Sequence, residues 1–191
     1  MRVIAGSLKG RRLQAPAWDG LRPTSDKLRE TLFNVVAARV GEARVLDGFA
    51  GTGAVGIEAL SRGAAHVTFV ESDPRAVRLI ERNLEHCAVS ERYAIIRARF
   101  ADAARRLQSG SFELVFLDPP YGSDVIVSSL EAAAPLVVPG GLLILEHARR
   151  DAAPASAGSL AKTRDIMSGD SGLSLYEVAG SAGDDAEAST K

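Results

Sequence analysis

From residue 44 onward, short apolar runs alternate with stretches whose apolar residues recur every three or four positions. Arg44–Leu46, His66–Val70, Tyr93–Ile96, Phe112–Leu117 and Leu142–Glu146 read as strands. Phe112–Leu117 is nearly all apolar, which predicts burial on both faces. Between the strands, Ala54–Ser61, a stripe of Val77, Ile80 and Leu84 after Asp73, and segments 101–108 and 124–136 read as helices. Asp73 can cap its helix, with Pro74 at the first helical position. Pro139-Gly140-Gly141 separates the last helix from the strand after it. This alternation predicts a parallel, doubly wound α/β sheet of order 3-2-1-4-5 that binds ligands at the carboxyl ends of its strands. Two further runs near 160–166 and 173–178 have no helix between them. They predict a terminal antiparallel hairpin, for a mostly parallel sheet of seven strands. Segment 151–159, made largely of Ala, Pro, Ser and Gly, reads as a loop.

The front of the chain follows another pattern. Met1–Ala5 and Arg11–Leu13 read as two short strands joined by a turn at Gly6, Ser7, Lys9 and Gly10. A loop containing Pro16, Trp18, Gly20 and Pro23 follows. Thr24 or Ser25 can then cap an amphipathic helix over 25–39, with Leu28, Leu32, Val35 and Val36 on its apolar side. The expected organisation is an N-terminal basic hairpin extension (1–20), a main domain (21–179) and a disordered tail (180–191).

Composition narrows the class without deciding it. The chain has 191 residues, 46% hydrophobic and 25% charged, with a net charge of −1. That suits one globular domain, and bulk charge gives no sign of a polyanionic partner. Charge distribution does. Residues 1–30 hold seven basic side chains (Arg2, Lys9, Arg11, Arg12, Arg22, Lys27, Arg29) against three acidic ones (Asp19, Asp26, Glu30). Lys9, Arg11 and Arg12 are candidate phosphate contacts. Because the glycine-rich loop further on lies in another part of the chain, deleting 1–14 is expected to spare cofactor binding. One cysteine, Cys87, excludes an internal disulfide, and no apolar run approaches a membrane span, so a cytoplasmic setting is expected. His66, His86 and His147 are scattered without ligand spacing, and no metal is expected.

The first candidate site is Asp47-Gly48-Phe49-Ala50-Gly51-Thr52-Gly53-Ala54-Val55-Gly56, between the first strand of the domain and its helix. Glycines let the backbone approach a ligand, and a helix N-terminus offers unpaired N–H groups. Glu71 ends the next strand, where it can accept hydrogen bonds from a ribose diol. Gly51-x-Gly53-x-x-Gly56 with an acid twenty residues past Gly51 also fits a dinucleotide site, so NAD stands as a competing reading. Asp47, directly ahead of the glycines, suits the ammonium of a methionine moiety better than a pyrophosphate.

The second candidate, Asp118-Pro119-Pro120-Tyr121, ends the fourth strand and faces that loop across the switch-point crevice. An exocyclic amine on a nucleobase is a poor nucleophile, because its lone pair is delocalised into the ring. Asp118 and the Pro119 carbonyl can accept its two N–H bonds, localising the lone pair and aiming it at a methyl donor. Pro119 and Pro120 stiffen the backbone, and Tyr121 offers a face for stacking the base. A dinucleotide oxidoreductase has no use for this tetrapeptide.

Three front segments narrow the choice: Met1-Arg-Val-Ile-Ala-Gly6, Lys9-Gly-Arg-Arg-Leu13 and Leu21-Arg-Pro-Thr-Ser-Asp-Lys-Leu-Arg-Glu-Thr-Leu-Phe-Asn34. With Glu58–Gly63, Val70-Glu-Ser-Asp73 and the two sites, they resemble the RsmD family over residues 1 to about 178. The resemblance implies a Rossmann-like class I S-adenosylmethionine-dependent methyltransferase acting on the N2 amine of guanine-966 in bacterial 16S rRNA. The implied partner is that rRNA or the small ribosomal subunit, not DNA or a membrane, and a monomer is expected. Another nucleobase amino-methyltransferase, acting on DNA or a different RNA, is the alternative. Implied cofactor contacts are Asp47, Phe49, Gly51, Gly53 and Glu71, with Asp102 as the acid after the third strand. Catalysis falls to Asp118–Tyr121, and Arg22, Thr24 and Arg29 are placed near the mouth of the site.

Overall fold

The computed structural model describes residues 1–18, 24–120 and 123–179. Arg22, Tyr121 and the tail 180–191, all singled out above, lie outside the described residues.

In chain order the elements are α1 (Asp26–Val35), β1 (Arg44–Asp47), α2 (Ala54–Ser61), β2 (His66–Glu71), α3 (Pro74–His86), β3 (Tyr93–Arg97), α4 (Phe100–Ala104), β4 (Phe112–Leu117), α5 (Ser123–Ala133), β5 (Val137–Ala148), β6 (Ser156–Ala157), β7 (Leu160–Ser168) and β8 (Ser171–Val178). They form one sheet of order β3-β2-β1-β4-β5-β8-β7-β6. Strands β1 to β5 are parallel, and the last three run antiparallel. This is the expected Rossmann-like α/β architecture.

Alternation along the strands divides the core in two. One face carries Val45, Phe69, Leu114, Phe116, Leu142 and Ile144, covered by α1, α2 and α3 through Leu32, Phe33, Ile57, Leu60, Ile80 and Leu84. The other carries Leu46, Val115, Leu117, Leu143 and Leu145, covered by α4 and α5 through Phe100, Ala103, Ile126 and Leu130. Helix starts follow local chemistry. Ser25 Oγ accepts from Leu28 N at 3.2 Å, and Asp73 accepts from Arg75 N at 2.7 Å. Among the described residues, no helix is long and apolar enough to cross a membrane.

The structure corrects the expected count and bounds. The sheet has eight strands rather than seven, because Ser156–Ala157 pairs with Leu160–Ala161 around Gly158, whose φ is +58°. A two-residue strand leaves no periodic signal. Strand β5 begins before Pro139-Gly140-Gly141: the two steps of β4 from Phe112 to Leu114 oppose five steps of β5 from Val137 to Leu142. The surplus bulges out with Gly140 at φ +76°, so the ladder resumes in register. Helix α1 stops at Val35, with turns beyond it, and α4 covers only 100–104.

The front end is not a free-standing hairpin. Its two arms bridge at Arg2 and Arg12 and bond through Val3 N to the Arg11 carbonyl, Gly10 N to the Val3 carbonyl and Leu13 N to the Met1 carbonyl, and further backbone groups bond the domain. Ile4 N and Ala5 N donate to the two Glu58 carboxylate oxygens at 2.7 and 3.0 Å. Leu8 N donates to Ser61 Oγ at 2.9 Å. A Cβ on Gly6 would lie 1.9 Å from the Ser61 carbonyl, so only glycine permits this approach. Val3 and Leu13 are buried in the same core as α1 and α2.

Candidate active site

A row of carboxylates forms where the strands end. Glu71, Asp47, Asp118 and Glu146 each lie two residues past a side chain of the α1–α2–α3 core, namely Phe69, Val45, Phe116 and Ile144. By the period of two they share that face. Leu117 is paired with Leu145, so Asp118 and Glu146 are the next residues of adjacent parallel strands. Asp118 is open to solvent at the crevice, Asp47 is buried, and Glu146 is half-buried.

Two of these carboxylates shape the glycine loop. Asp47 Oδ2 accepts from Gly56 N at 3.0 Å, a donor in the first turn of α2 that otherwise has no partner. Glu71 Oε2 accepts from Gly51 N at 2.9 Å, and its Oε1 from Ser72 N and Asp73 N at 2.7 and 2.8 Å. Gly51 and Gly53 take left-handed φ values of +53° and +75°. Gly48 and Gly56 serve packing instead. Their added Cβ atoms would meet Leu117 at 2.5 Å and the Phe69 ring at 2.2 Å.

Burial, with like charges nearby, raises the carboxyl pKa values. Burial, with the charges of Asp118 and Glu71, pushes Asp47 up to about 7, against the stabilising Gly56 N–H. Burial and Asp118 push Glu146 up to about 8, while the hydroxyls of Ser171 and Thr24 favour its charged form. Asp118 is pushed up to about 6 by the protein packed around it. Its open solvent face argues for a smaller shift. The upward direction stands, because its neighbours in the row are carboxylates rather than cations. Such a row suits a positively charged ligand, and it is poorly matched to a pyrophosphate.

Several expected residues sit elsewhere. Asp102 lies on α4, paired with the exposed Arg105, not in the carboxylate row. Phe49 does line the loop, with its ring 5.2 Å from that of Phe100. Phe100, also in contact range of a Cβ on Gly48, went unnoticed in the sequence. Thr24, half-buried, reaches Glu146. Lys9, Arg11 and Arg12 are exposed, as a phosphate-binding role requires.

Arg29 is different. Its side chain is 0% exposed, so it cannot touch a base from this position. Its Nη2 donates to the Arg2 carbonyl at 2.7 Å and to Asp26 at 2.6 Å, and its Nη1 lies 3.9 Å from Glu58. Glu58 also takes the Arg62 guanidinium at 2.8 Å. Arg29 therefore joins the front segment to α1 and α2, a tertiary role that helical periodicity cannot reveal.

Comparison with known proteins identifies the family. The family model described as "Conserved hypothetical protein 95" matches residues 1–177. The Bacillus subtilis protein YlbH is 37% identical over 94% of this chain and 100% of its own length. Ribosomal RNA small subunit methyltransferase D of Haemophilus influenzae is 42% identical over 63% of this chain and 64% of its own. The structure of Escherichia coli YhhF superposes with a TM-score of 0.81 at 30% identity, covering 93% of this chain and 98% of that one. The match runs through all three front segments, the glycine loop and Asp118-Pro119-Pro120, and the chain belongs to the RsmD family, the family of that model.

Proposed function

We propose that the protein is a ribosomal RNA small-subunit methyltransferase that transfers a methyl group from S-adenosylmethionine to the exocyclic N2 of guanine-966 in 16S rRNA. The names of its relatives support the small-subunit rRNA. The observation that carries the chemistry is the carboxylate row: Asp47 beside the glycine loop and Asp118 at the next strand end. S-adenosylmethionine supplies an electrophilic methyl on a sulfonium, and both its sulfonium and its ammonium are cations that suit this row.

The chain's own groups divide the work. Asp47 and the loop N–H groups take the amino-acid end of the cofactor. Glu71, already accepting three N–H bonds, keeps lone-pair capacity for a ribose hydroxyl. Asp118 and the Pro119 carbonyl accept from the target amine, so its lone pair localises as it pyramidalises. No strong base is required, since the alkylated amine is acidic and releases its proton after transfer. Tyr121 stacks the extruded base.

The test is transfer of radiolabel from S-adenosylmethionine to naked 16S rRNA, assembled small subunits or DNA. Label confined to rRNA, on guanine N2, is the expected result. Label in DNA alone, or in none of them, overturns the reading.

A further inference from the structure

We infer that Glu146 reads the identity of the target base, accepting a hydrogen bond from guanine N1–H while Asp118 and the Pro119 carbonyl hold the N2 amine. This rests on the guanine-N2 reading above. Glu146 follows Leu145 as Asp118 follows Leu117, and those leucines are paired. The two carboxylates therefore stand side by side, on strands roughly 4.8 Å apart, close enough for Asp118 to raise the Glu146 pKa. Guanine presents N1–H and N2–H as neighbouring donors on its Watson–Crick edge, and this pair of acceptors matches them.

The surroundings of Glu146 point the same way. It is half-buried at the end of β5, with Ser171 Oγ at 3.4 Å and the Thr24 hydroxyl as partners. Both come from elements flanking the crevice, and together they fix the carboxylate while leaving lone pairs for a base. A half-buried acid among acids costs stability unless a ligand donates to it. Guanine N1–H does so and favours the charged form. Adenine and cytosine present a ring-nitrogen lone pair at that place, which repels the carboxylate once it is ionised, above about pH 8. Selection thus includes a penalty against the wrong base as well as a bond to the right one.

2-Aminopurine separates this role from simple support, because it keeps the N2 amine but carries a lone pair at N1. Small subunits reconstituted on 16S rRNA with guanine or 2-aminopurine at the target position are methylated by the wild type and by Glu146→Gln. At a pH where Glu146 is ionised, the wild type is expected to prefer guanine by about 100-fold or more in kcat/KM, as for a site built around a substrate N–H. The glutamine amide can donate to the 2-aminopurine ring nitrogen, so the preference should shrink at least ~10-fold, with S-adenosylmethionine affinity by calorimetry unchanged. A wild type that methylates both bases equally overturns the assignment without any variant. So does a Glu146→Gln enzyme of lower activity but unchanged preference. Methyl label on a guanine atom other than N2 would instead remove the reading beneath it.

Discussion

Asn83, fully buried on α3, donates its side-chain amide to the Thr52 carbonyl in the glycine loop at 3.0 Å. The same amide group ties down the front segment: Asn83 Oδ1 accepts from Gln14 N at 2.7 Å, and Nδ2 also reaches the Gln14 carbonyl at 3.3 Å. The expectation that 1–14 could be deleted without touching the cofactor site therefore fails. Truncation exposes the core behind Val3 and Leu13, about 1.5–3 kcal/mol for each buried aliphatic side chain. Deleting 1–14 should lower the melting temperature and weaken S-adenosylmethionine binding together. Asn83→Ala should cost about 1–3 kcal/mol in urea unfolding, the penalty for partners left unsatisfied. Unchanged calorimetric affinity in both variants would show that the loop stands without this tie.

Glu71→Ala should weaken S-adenosylmethionine binding by roughly 1.5–3 kcal/mol, the range for hydrogen bonds to a charged group. Part of that loss will come from the freed Gly51 amide. Tight NAD binding by the wild type in the same calorimeter would return the dinucleotide reading to contention.

Asp118→Ala should leave cofactor affinity nearly intact while single-turnover methyl transfer falls by about 100-fold or more, as for loss of an acceptor that acts mainly in the transition state. Tyr121→Phe should keep much of the activity that Tyr121→Ala loses, since stacking needs the ring. A phenylalanine variant as inactive as the alanine one would end the stacking role.

Asp47, Asp118 and Glu146, at about 7, 6 and 8, hold protons in the folded protein that the unfolded chain releases near its ordinary carboxylate values. Between roughly pH 4.5 and 8 the native state thus binds more protons, and stability falls as pH rises. The ligand-free protein should be more resistant to urea at pH 5.5 than at pH 8, by roughly 1–3 kcal/mol. Asp47→Asn should flatten that slope. S-adenosylmethionine affinity should move oppositely, rising with pH as Asp47 ionises. A stability profile that climbs from pH 5.5 to 8 would refute these raised carboxyl pKa values.

Charge removal should separate the basic residues by role. Neutralising Lys9, Arg11 or Arg12 should lower the salt slope of rRNA binding by about 0.7–0.9 for each phosphate no longer neutralised. Arg29→Ala removes the bonds to Asp26 and the Arg2 carbonyl, while Glu58 keeps Arg62 and the Ile4 and Ala5 amides, and should cost about 1–3 kcal/mol of stability. Its direct effect on the salt slope should be nil. A folded Arg29→Ala protein with normal stability and a reduced slope would reverse these roles.

What the sequence revealed was local. Asp73 and Pro74 announce a helix start, uniform apolarity marks β4 as central, and the glycine loop carries its own left-handed positions. What it hid was long-range. Glu146 is an unremarkable strand end until pairing of Leu117 with Leu145 sets it beside Asp118. Arg29 looks like a surface charge until Glu58 approaches from α2. His147, which formed no ligand pattern, is a buried structural group bonded to Ser174 at 2.9 Å. Pro139-Gly140-Gly141 looks like a terminator because a bulge, unlike a turn, keeps the strand going on both sides.

The two-residue β6 ends the sheet. An open edge is a template on which another chain can add a strand, and long flat edges invite assembly without limit. Here the last ladder has Pro154 just ahead of it and the Gly158 turn just behind it. Pro154 has no N–H to offer, and its carbonyl is taken by the Tyr176 hydroxyl at 2.8 Å. Over the Leu160–Ala161 end of β7, which β6 covers, an incoming strand finds almost no register to copy, so this end of the edge carries its own stop against growth into fibres.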